Sequence, residues 1–291
     1  MADWKDIQSA IRDAAHSGFE IAHAASVGGG CINEAYRLEG KDGTCFFVKL
    51  NDARHMAMFE AEAEGLKAIA QSHTVHVPQP VAHGISGRQS YLVMEYLEFG
   101  TRGNARKLGE QLAAMHRCSA ENFGFAHDNF IGSTPQPNGW VSDWIEFLRE
   151  QRFGFQFRLA KQNGFGGRLQ DLGAALLEKL PAFFEGYTPQ PSLLHGDLWG
   201  GNHAFLADGT PAIFDPAAYY GDREADIAMT ELFGGYPADF YAAYRAAWPL
   251  DDGYATRREL YNLYHILNHA NLFGSGYARQ AEGMMQRLLS I

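Results

Sequence analysis

Two acids and an amide lie close together in the last third of the chain: Asp197, Asn202 and Asp215. Over residues 204–214, apolar runs flank Asp208-Gly209, which is the pattern of a buried β-hairpin closed by a tight turn. We expect this hairpin to return Asp215 to the side of Asn202. Carboxylate and amide oxygens are ligands for Mg²⁺, so the pair predicts a magnesium site. Asp197 then remains to face an acceptor hydroxyl.

The same residues match the catalytic-loop pattern of protein kinases. That pattern is H-R-D-L-x-x-x-N followed by a metal-binding Asp, and the sequence HGDLWGGN over residues 195–202 keeps its spacing. The alternative is a plain glycine-rich loop with a capping Asn, because single motif matches carry false positives. The acid at Asp215, beyond strand-like sequence, favours the kinase interpretation. That interpretation requires a nucleotide site upstream.

The composition is that of a globular protein. The 291 residues, 46% hydrophobic and 20% charged, suggest one large domain or two lobes. A net charge of −10 argues against a nucleic-acid partner and is compatible with a cationic substrate. No apolar run approaches the ~20 residues that span a membrane. The amino terminus lacks an apolar signal core and the three cysteines are scattered, so we expect a cytoplasmic protein without disulfides.

A glycine run and a lysine strand lie where a kinase binds nucleotide. Gly28, Gly29 and Gly30 separate two β-like stretches, and such a turn lets backbone N–H groups approach a phosphate. A flexible hairpin explains the glycines equally well when they are taken alone. Lys49 follows within the apolar run 44–50, as does the phosphate-binding lysine of kinases. The alternative is a lysine that protects the edge of a sheet.

The helical pattern over residues 58–70 offers an acid to pair with this lysine. It contains Glu60, Glu62 and Glu64. Glu62 lies on the flank of the apolar face, so we predict that it pairs with Lys49 and that the other two are solvated.

Strand-like residues 90–97 are predicted to leave the first lobe as the hinge. Backbone groups near Glu95 and Leu97 would hold adenine there. We therefore predict an N-lobe over residues 1–97, which binds nucleotide, and a C-lobe over residues 98–291, which contains the catalytic loop and the substrate site.

Beyond the hinge the pattern becomes mostly helical. Residues 122–139 contain Asn, Gly and Pro at short intervals and predict a long surface loop. Helical stretches are predicted over 238–248 and 256–289. His265 and His269 are i,i+4 neighbours, but no Glu follows His265 and no third ligand is evident, so a zinc site is not predicted. The two histidines are interpreted as packed or substrate-facing.

With these residues in view, the chain resembles the fructosamine kinase (ketosamine 3-kinase) family, a relative of the aminoglycoside phosphotransferases. The resemblance covers nearly the whole chain. It is strongest in GGGCINEAY (28–36), HGDLWGGN (195–202), DPAAYYGDREADIAMTELFGGYP (215–237) and LYHILNHANLFGSGY (263–277). It implies an α+β, two-lobed protein-kinase-like fold, with a small antiparallel β-sheet and one key helix in the N-lobe and a mostly helical C-lobe.

The resemblance also implies residue roles. Asp197 resembles the catalytic base, Asn202 and Asp215 the magnesium ligands, and Lys49 with Glu62 the pair that grips the phosphates. Asp226 resembles the acid that braces the catalytic loop, the alternative being an ordinary acid at a helix start. Gly196 replaces the Arg of H-R-D, so no switch through that Arg is expected. The implied substrate contacts, taken from resemblance and from polar placement on a late helix, are Trp199, His265, Asn268, His269 and Asn271.

The implied activity is ATP- and Mg²⁺-dependent phosphorylation of the O3 hydroxyl of a ketosamine, the rearranged adduct of a sugar with an amine. The 3-phosphate destabilises the ketoamine and releases the amine, which is a deglycation repair. The implied partner is a glycated amine, either a small molecule or part of a protein. Neither a nucleic acid nor a membrane is expected as a partner. Two alternatives remain: a kinase for an aminoglycoside or a choline-like compound, and a nucleotide-binding pseudokinase scaffold. The complete set of Lys49, Asp197, Asn202 and Asp215 argues against the scaffold.

Cys31 follows the three glycines directly. Backbone N–H groups and Lys49 near it would raise its thiolate fraction and its sensitivity to oxidation. We predict that peroxide lowers activity and that dithiothreitol restores it. The protein is expected to be a monomer or a homodimer, and oxidation could link two chains through Cys31. Cys31→Ala should be immune, and loss of activity in this variant under oxidant would contradict the hypothesis. The alternative is an unreactive side chain in a tight turn, as we expect for the packing residues Cys45 and Cys118.

Overall fold

The computed structural model describes residues 3–28 and 33–291 of the chain. These fall into two compact units. The first, called the sheet unit, comprises Met1–Asn104 and Ala204–Pro216; the second, called the helical unit, comprises Ala105–His203 and Ala217–Ile291.

The elements follow one another in an order that changes from mostly strands to mostly helices. In chain order they are α1 (Trp4–Ala15), β1 (Ile21–Val27), β2 (Glu34–Gly40), β3 (Cys45–Asp52), a 3₁₀ turn (Ala53–His55), α2 (Met56–Gln71), β4 (Pro80–Ser86), β5 (Gln89–Glu95), α3 (Ala105–His116), β6 (Asn129–Ile131), β7 (Thr134–Gln136), α4 (Trp144–Phe147), a π-helical segment (Leu148–Phe153), α5 (Gly154–Gln162), α6 (Arg168–Lys179), a 3₁₀ helix (Leu180–Phe184), β8 (Ser192–Leu194), β9 (His203–Phe205), β10 (Pro211–Ile213), β11 (Tyr219–Gly221), α7 (Glu224–Leu232), α8 (Ala238–Ala247), α9 (Tyr254–Phe273) and α10 (Ser275–Ser290).

The sheet unit is built on a five-stranded antiparallel sheet in the order β1-β2-β3-β5-β4. Helix α1 contributes Ile7 and Ile11 to its core, where they meet Leu38 and Val48 of the central strands. Asp3 caps α1 by accepting the N–H of Lys5, which satisfies one of the donors left free at a helix start. The sheet therefore fixes the position of β3 and of the lysine in it.

The predicted hairpin before Asp215 is present as β9 and β10, which pair with each other. Its turn is closed by the N–H of Gly209, which donates to the carbonyl of Leu206 at 2.8 Å. The hinge segment bonds to the same hairpin, because the N–H of Gly100 donates to Phe205 at 2.8 Å and that of Ala207 donates to Glu98 at 3.0 Å. These bonds explain why residues 204–216 belong to the sheet unit. The expected boundary after residue 97 differs from this division, which runs to Asn104 and adds the hairpin.

The helical unit surrounds α7 and α9, whose buried faces pack together. At the start of α7, Arg257 binds both oxygens of Glu224, at 2.7 and 3.2 Å, and lies over the ring of Tyr187. Asp222 accepts hydroxyl groups from Tyr187 and Tyr261 at 2.9 and 2.6 Å. Breaking such a buried pair costs about 3–5 kcal/mol, so α7 begins at a firmly fixed point.

Two expectations for this unit are wrong. Residues 122–139 are not a surface loop: they contain the β6–β7 hairpin, in which Asn129 and Gln136 are buried. Their amides donate to the carbonyls of Ala218 and Ala217, at 2.7 and 3.1 Å, and these bonds offset the cost of burying them. The stretch 256–289 is two helices, because Gly274 has a φ of +99° and ends α9. A positive φ of this kind favours glycine.

Candidate active site

A buried acid braces the catalytic-loop candidate of the helical unit. Asp226, in the first turn of α7, is 1% exposed and accepts the backbone N–H of His195 at 2.7 Å and of Gly196 at 2.8 Å. Its Oδ2 also lies 3.1 Å from Nε2 of His116. Burial favours the neutral acid, but His116, His195 and the N–H of Gly196 outweigh it and hold the pKa of Asp226 below its ordinary value. Asp226 is therefore more than an acid at a helix start.

The loop is closed on itself between Asp197 and Asn202. The side-chain amide nitrogen of Asn202 donates to the carbonyl of Asp197 at 2.8 Å, and its backbone N–H donates to the carbonyl of Trp199 at 3.0 Å. An amide has one donating and one accepting end. The nitrogen of Asn202 is directed at Asp197, so Oδ1 is the accepting end of this side chain.

Gly196 has no room for a side chain. Its φ is +83°, and a Cβ at this position would lie 2.1 Å from the carbonyl oxygen of Ala217. The same segment is tied to the loop, since the N–H of Ala217 donates to the carbonyl of His195 at 2.9 Å. This close backbone contact explains why glycine stands where protein kinases have the Arg of H-R-D.

In the sheet unit, Lys49 of β3 lies between two carboxylates. Its Nζ is 2.7 Å from Oε1 of Glu62 on α2 and 2.5 Å from Oδ1 of Asp215. The predicted pairing of Lys49 with Glu62 is confirmed, and Glu60 and Glu64 are exposed. Burial disfavours the charged form of Lys49, but the two carboxylates outweigh it and hold its pKa above its usual value.

Asp215 has an unusual backbone conformation. It is one of the few residues other than glycine with a positive φ in the described chain, at +59°. Asp tolerates this left-handed region better than most residues, and such strain is concentrated at functional sites. Its side chain is 45% exposed, so the carboxylate remains accessible although it pairs with Lys49.

These donors fit a hard divalent cation, which prefers oxygen ligands. The amide oxygen of Asn202 is in the helical unit and the carboxylate of Asp215 is in the sheet unit. Across residues 3–28 and 33–291, no group of three or more His, Cys, Asp or Glu is placed to hold a metal ion. Mg²⁺ is often bound by one or two protein oxygens together with phosphate oxygens and water.

Comparison with known proteins decides the family. A family model described as fructosamine kinase matches residues 3–291. The chain belongs to the fructosamine kinase family. It is 48% identical over 294 residues to a probable ketoamine kinase of Synechocystis sp., covering 100% of this chain and 98% of that protein. It is 45% identical over 274 residues to the chloroplastic protein-ribulosamine 3-kinase of Arabidopsis thaliana, covering 93% and 83%.

A solved structure agrees. The crystal structure of a candidate fructosamine-3-kinase from Haemophilus somnus matches with a TM-score of 0.89 and 29% identity, over 98% of this chain and 97% of that one. The expected α+β, protein-kinase-like fold is confirmed. As a fructosamine kinase family member, the protein is a phosphotransferase whose acceptor is an alcohol group.

The other predicted nucleotide contacts of this kinase lie in two places, the glycine turn after β1 and the hinge after β5. Gly28 is exposed at the end of β1, whereas Gly29, Gly30 and Cys31 lie outside the described residues. In the hinge, the N–H of Glu95 donates to the carbonyl of Gln79 at 2.8 Å. Leu97 follows, half-buried and beyond the end of β5.

Of the predicted substrate contacts of the kinase, Trp199 is the most accessible. Its side chain is 41% exposed, and its ring lies over Gly201, where a Cβ would come within 2.2 Å of it. The carbonyl of Trp199 accepts the hydroxyl of Tyr236 at 3.2 Å. Tyr236 also packs its ring against His203, with 4.2 Å between ring centroids.

The predicted contacts on α9 divide into two pairs. Asn268 and Asn271 bind Gln156 of α5, at 3.5 and 2.8 Å, so their amides hold two helices together. His265 is buried, and burial lowers its pKa to about 3, which keeps it neutral. His269 is half-buried, and its Nδ1 lies 2.7 Å from the carbonyl of His265.

Sequence reasoning missed two residues that position the loop. His116 bonds to Asp226 and, at 2.8 Å, to the hydroxyl of Tyr244, and Tyr236 bonds to Trp199. His116 lies at the end of an apolar helix stripe, where a histidine indicates a favourable contact with the helix dipole as readily as a buried contact. Tyr236 belongs to the stretch 215–237 that carries the family resemblance, but its type alone does not indicate a partner.

Proposed function

We propose that the protein uses ATP and Mg²⁺ to phosphorylate the O3 hydroxyl of ketosamines, such as fructosamines and ribulosamines, and so promotes deglycation. The observation that carries this proposal is the braced loop. Asp226 fixes the backbone of His195 and Gly196, and Asn202 is tied to Asp197. This arrangement supports a rigid presentation of one carboxylate and one amide oxygen, which suits a reaction that depends mainly on positioning and charge neutralisation.

The proposed roles follow from these contacts. Asp197 orients the acceptor hydroxyl and takes its proton. Lys49, aligned by Glu62, neutralises charge on the phosphates, and the glycine turn at Gly28 holds them with its backbone. Asn202 and Asp215 are the proposed ligands of Mg²⁺, which when bound with the nucleotide stabilises negative charge on the transferred group.

The test of this function is a panel of acceptors in a coupled ADP assay. Fructose, ribulose and erythrulose adducts of one amine are compared with an aminoglycoside and with choline. We expect turnover with the ketosamines alone, followed by release of the amine. Turnover with the aminoglycoside or choline alone would instead support the first alternative. Nucleotide binding without turnover of any acceptor would support the pseudokinase scaffold.

Lys49→Ala and Asp215→Ala should each weaken the binding and use of Mg-ATP. Loss of one preorganised charge contact of this kind costs about 10²–10³-fold in rate. Excess magnesium should not rescue Lys49→Ala. The exposed Lys41, which pairs with Glu20 on the same unit, gives the matched control Lys41→Ala and should leave both properties unchanged. In a thermal-shift titration, an unchanged magnesium response of Asp215→Ala would remove this residue from the metal site.

The cellular setting is a further part of the proposal. In the part of the chain that the structure describes, no helix is both long and apolar enough to cross a membrane. We place the enzyme in the cytoplasm, with free or protein-bound glycated amines as substrates. The redox sensitivity predicted for Cys31, and a monomeric or dimeric state, remain proposals from the sequence.

A further inference from the structure

An exposed aromatic cluster lies at the corner between α9 and α10. It consists of Phe233, His269, Phe273 and Tyr277. The ring of His269 is at the centre, with centroid distances of 5.1 Å to Phe233, 5.4 Å to Phe273 and 5.1 Å to Tyr277. Phe273 is 63% exposed and Phe233 is 37% exposed. Large contiguous apolar patches on protein surfaces mark binding sites, so exposed rings grouped in this way are a candidate for one. None of their contacts is used by the mechanism above.

Helix α9 connects this cluster to the catalytic loop. The hydroxyl of Tyr264 donates to the side-chain oxygen of Gln136 at 2.7 Å. Gln136 donates to the carbonyl of Ala217 at 3.1 Å, and the N–H of Ala217 donates to the carbonyl of His195 in the catalytic loop at 2.9 Å. His269 and Phe273 lie five and nine residues beyond Tyr264 on the same helix. At about 1.5 Å per residue, the cluster therefore extends over roughly 7–14 Å along the helix from Tyr264.

The turn between α7 and α8 provides a second connection. Phe233, at the end of α7, packs against His269. Three residues later, Tyr236 donates its hydroxyl to the carbonyl of Trp199 in the catalytic loop. Gly234 and Gly235 between them have φ values of +96° and +75°, which makes the turn tight. One short turn thus contacts both the loop and the cluster.

The chemistry of the cluster suits an apolar group. Burial lowers the pKa of His269, so at neutral pH this ring is uncharged like the other three. Aromatic rings bind apolar and aromatic groups by burial and stacking. Phe233 and Phe273, the most exposed rings of the cluster, carry no hydrogen-bonding groups, so they suit an apolar group better than the hydroxyls of a sugar.

The length of a ketosamine matches this geometry. Its acceptor oxygen and its amine nitrogen are four single bonds apart, or roughly 5 Å at about 1.5 Å per bond. The substituent on the amine begins just beyond that distance. This substituent is therefore the part of the substrate that extends beyond the catalytic loop, and the turn from Phe233 to Tyr236 places the cluster close to Trp199 of that loop.

We propose that the aromatic cluster is the subsite for the substituent carried by the amine of the ketosamine, and that it selects substrates with an apolar or aromatic substituent. The proposal rests on the proposed function and names a substrate class for it. It assigns Phe233, Phe273 and Tyr277 to specificity rather than to phosphoryl transfer.

The experiment compares two fructosamines that differ only in the amine, one made from benzylamine and one from methylamine. We expect the wild-type KM to be lower for the benzyl substrate by about tenfold or more, from the apolar area buried. Phe273→Ala should lose most of this preference while keeping kcat and the KM for ATP. Phe273→Trp should retain it. Since Phe273 is so exposed, these variants are expected to fold normally. Trp140→Ala, at a residue that is 49% exposed in the same unit, is the matched control.

Each outcome has a distinct meaning. Turnover of both fructosamines without a preference, or a preference that survives in Phe273→Ala and Phe233→Ala, overturns the subsite alone. A change of oligomeric state in Phe273→Ala with unchanged KM values also overturns it, because the cluster would then bind a second copy of the chain. Absence of turnover with both substrates overturns the proposed function, and the subsite with it.

Discussion

Asp197→Asn is expected to lower kcat by about 10²–10⁴-fold, the range for a residue that orients an acceptor and takes its proton. Asn has nearly the same shape, so the bond from the side-chain nitrogen of Asn202 to the backbone carbonyl of residue 197, 2.8 Å in the wild type, should persist. The loss should therefore fall on the chemical step, and nucleotide binding should remain close to that of the wild type. Steady-state kinetics and a nucleotide titration measure the two properties separately.

Asp171→Asn, at an exposed acid in the first turn of α6, is the control for this experiment and should behave as the wild type. Asp197→Asn retaining more than about a tenth of kcat, outside the range given above, would show that Asp197 is not the base. A large loss of nucleotide affinity instead would indicate that Asp197 supports the nucleotide site.

Asp226→Asn should reduce both stability and activity. Its carboxylate accepts two backbone N–H groups and lies beside His116, and Asn offers only one accepting atom. Leaving a buried donor without an acceptor costs about 1–3 kcal/mol. We expect the free energy of unfolding at pH 7 to fall by about 2–4 kcal/mol, and kcat to fall because the loop is no longer fixed. Denaturant unfolding and steady-state kinetics measure these effects.

The stability effect should also depend on pH. The folded-state pKa of Asp226 is depressed, so its contribution is fully present above the unfolded pKa of about 3.9 and is lost as the pH falls through the folded pKa. The difference in unfolding free energy between wild type and Asp226→Asn should therefore shrink below about pH 4. Asp239→Asn, an exposed acid in the first turn of α8, should show no such difference. A difference independent of pH would mean that Asp226 acts through its shape alone.

The parts of the site that follow from short-range spacing were predictable from the sequence. The hairpin before Asp215 was indicated by two apolar runs around a turn. The pairing of Lys49 with Glu62 followed from one strand and the next helix, because only one of three neighbouring acids lies beside the apolar face. In both cases the interacting groups are carried by elements whose own periodicity fixes which way they point.

The parts that depend on distant partners were not predictable. Asn129 bonds to Ala218, 89 residues away, and His116 bonds to Asp226, 110 residues away. A polar residue that is buried because it finds such a partner has the same appearance in the sequence as one that is exposed to water. For this reason residues 122–139 suggested a surface loop, and the sequence did not indicate the buried contacts of His116.

The inclusion of residues 204–216 in the sheet unit has a consequence for synthesis on the ribosome. The chain segment up to Asn104 emerges first, but the hairpin that bonds to the hinge and carries Asp215 follows about a hundred residues later. At about 5–20 residues per second, this unit waits on the order of 5–20 seconds for its last segment. During that interval Lys49 and Glu62 are present without Asp215, while much of the helical unit is already being made. The sheet unit therefore completes its folding only after much of the helical unit has been synthesised.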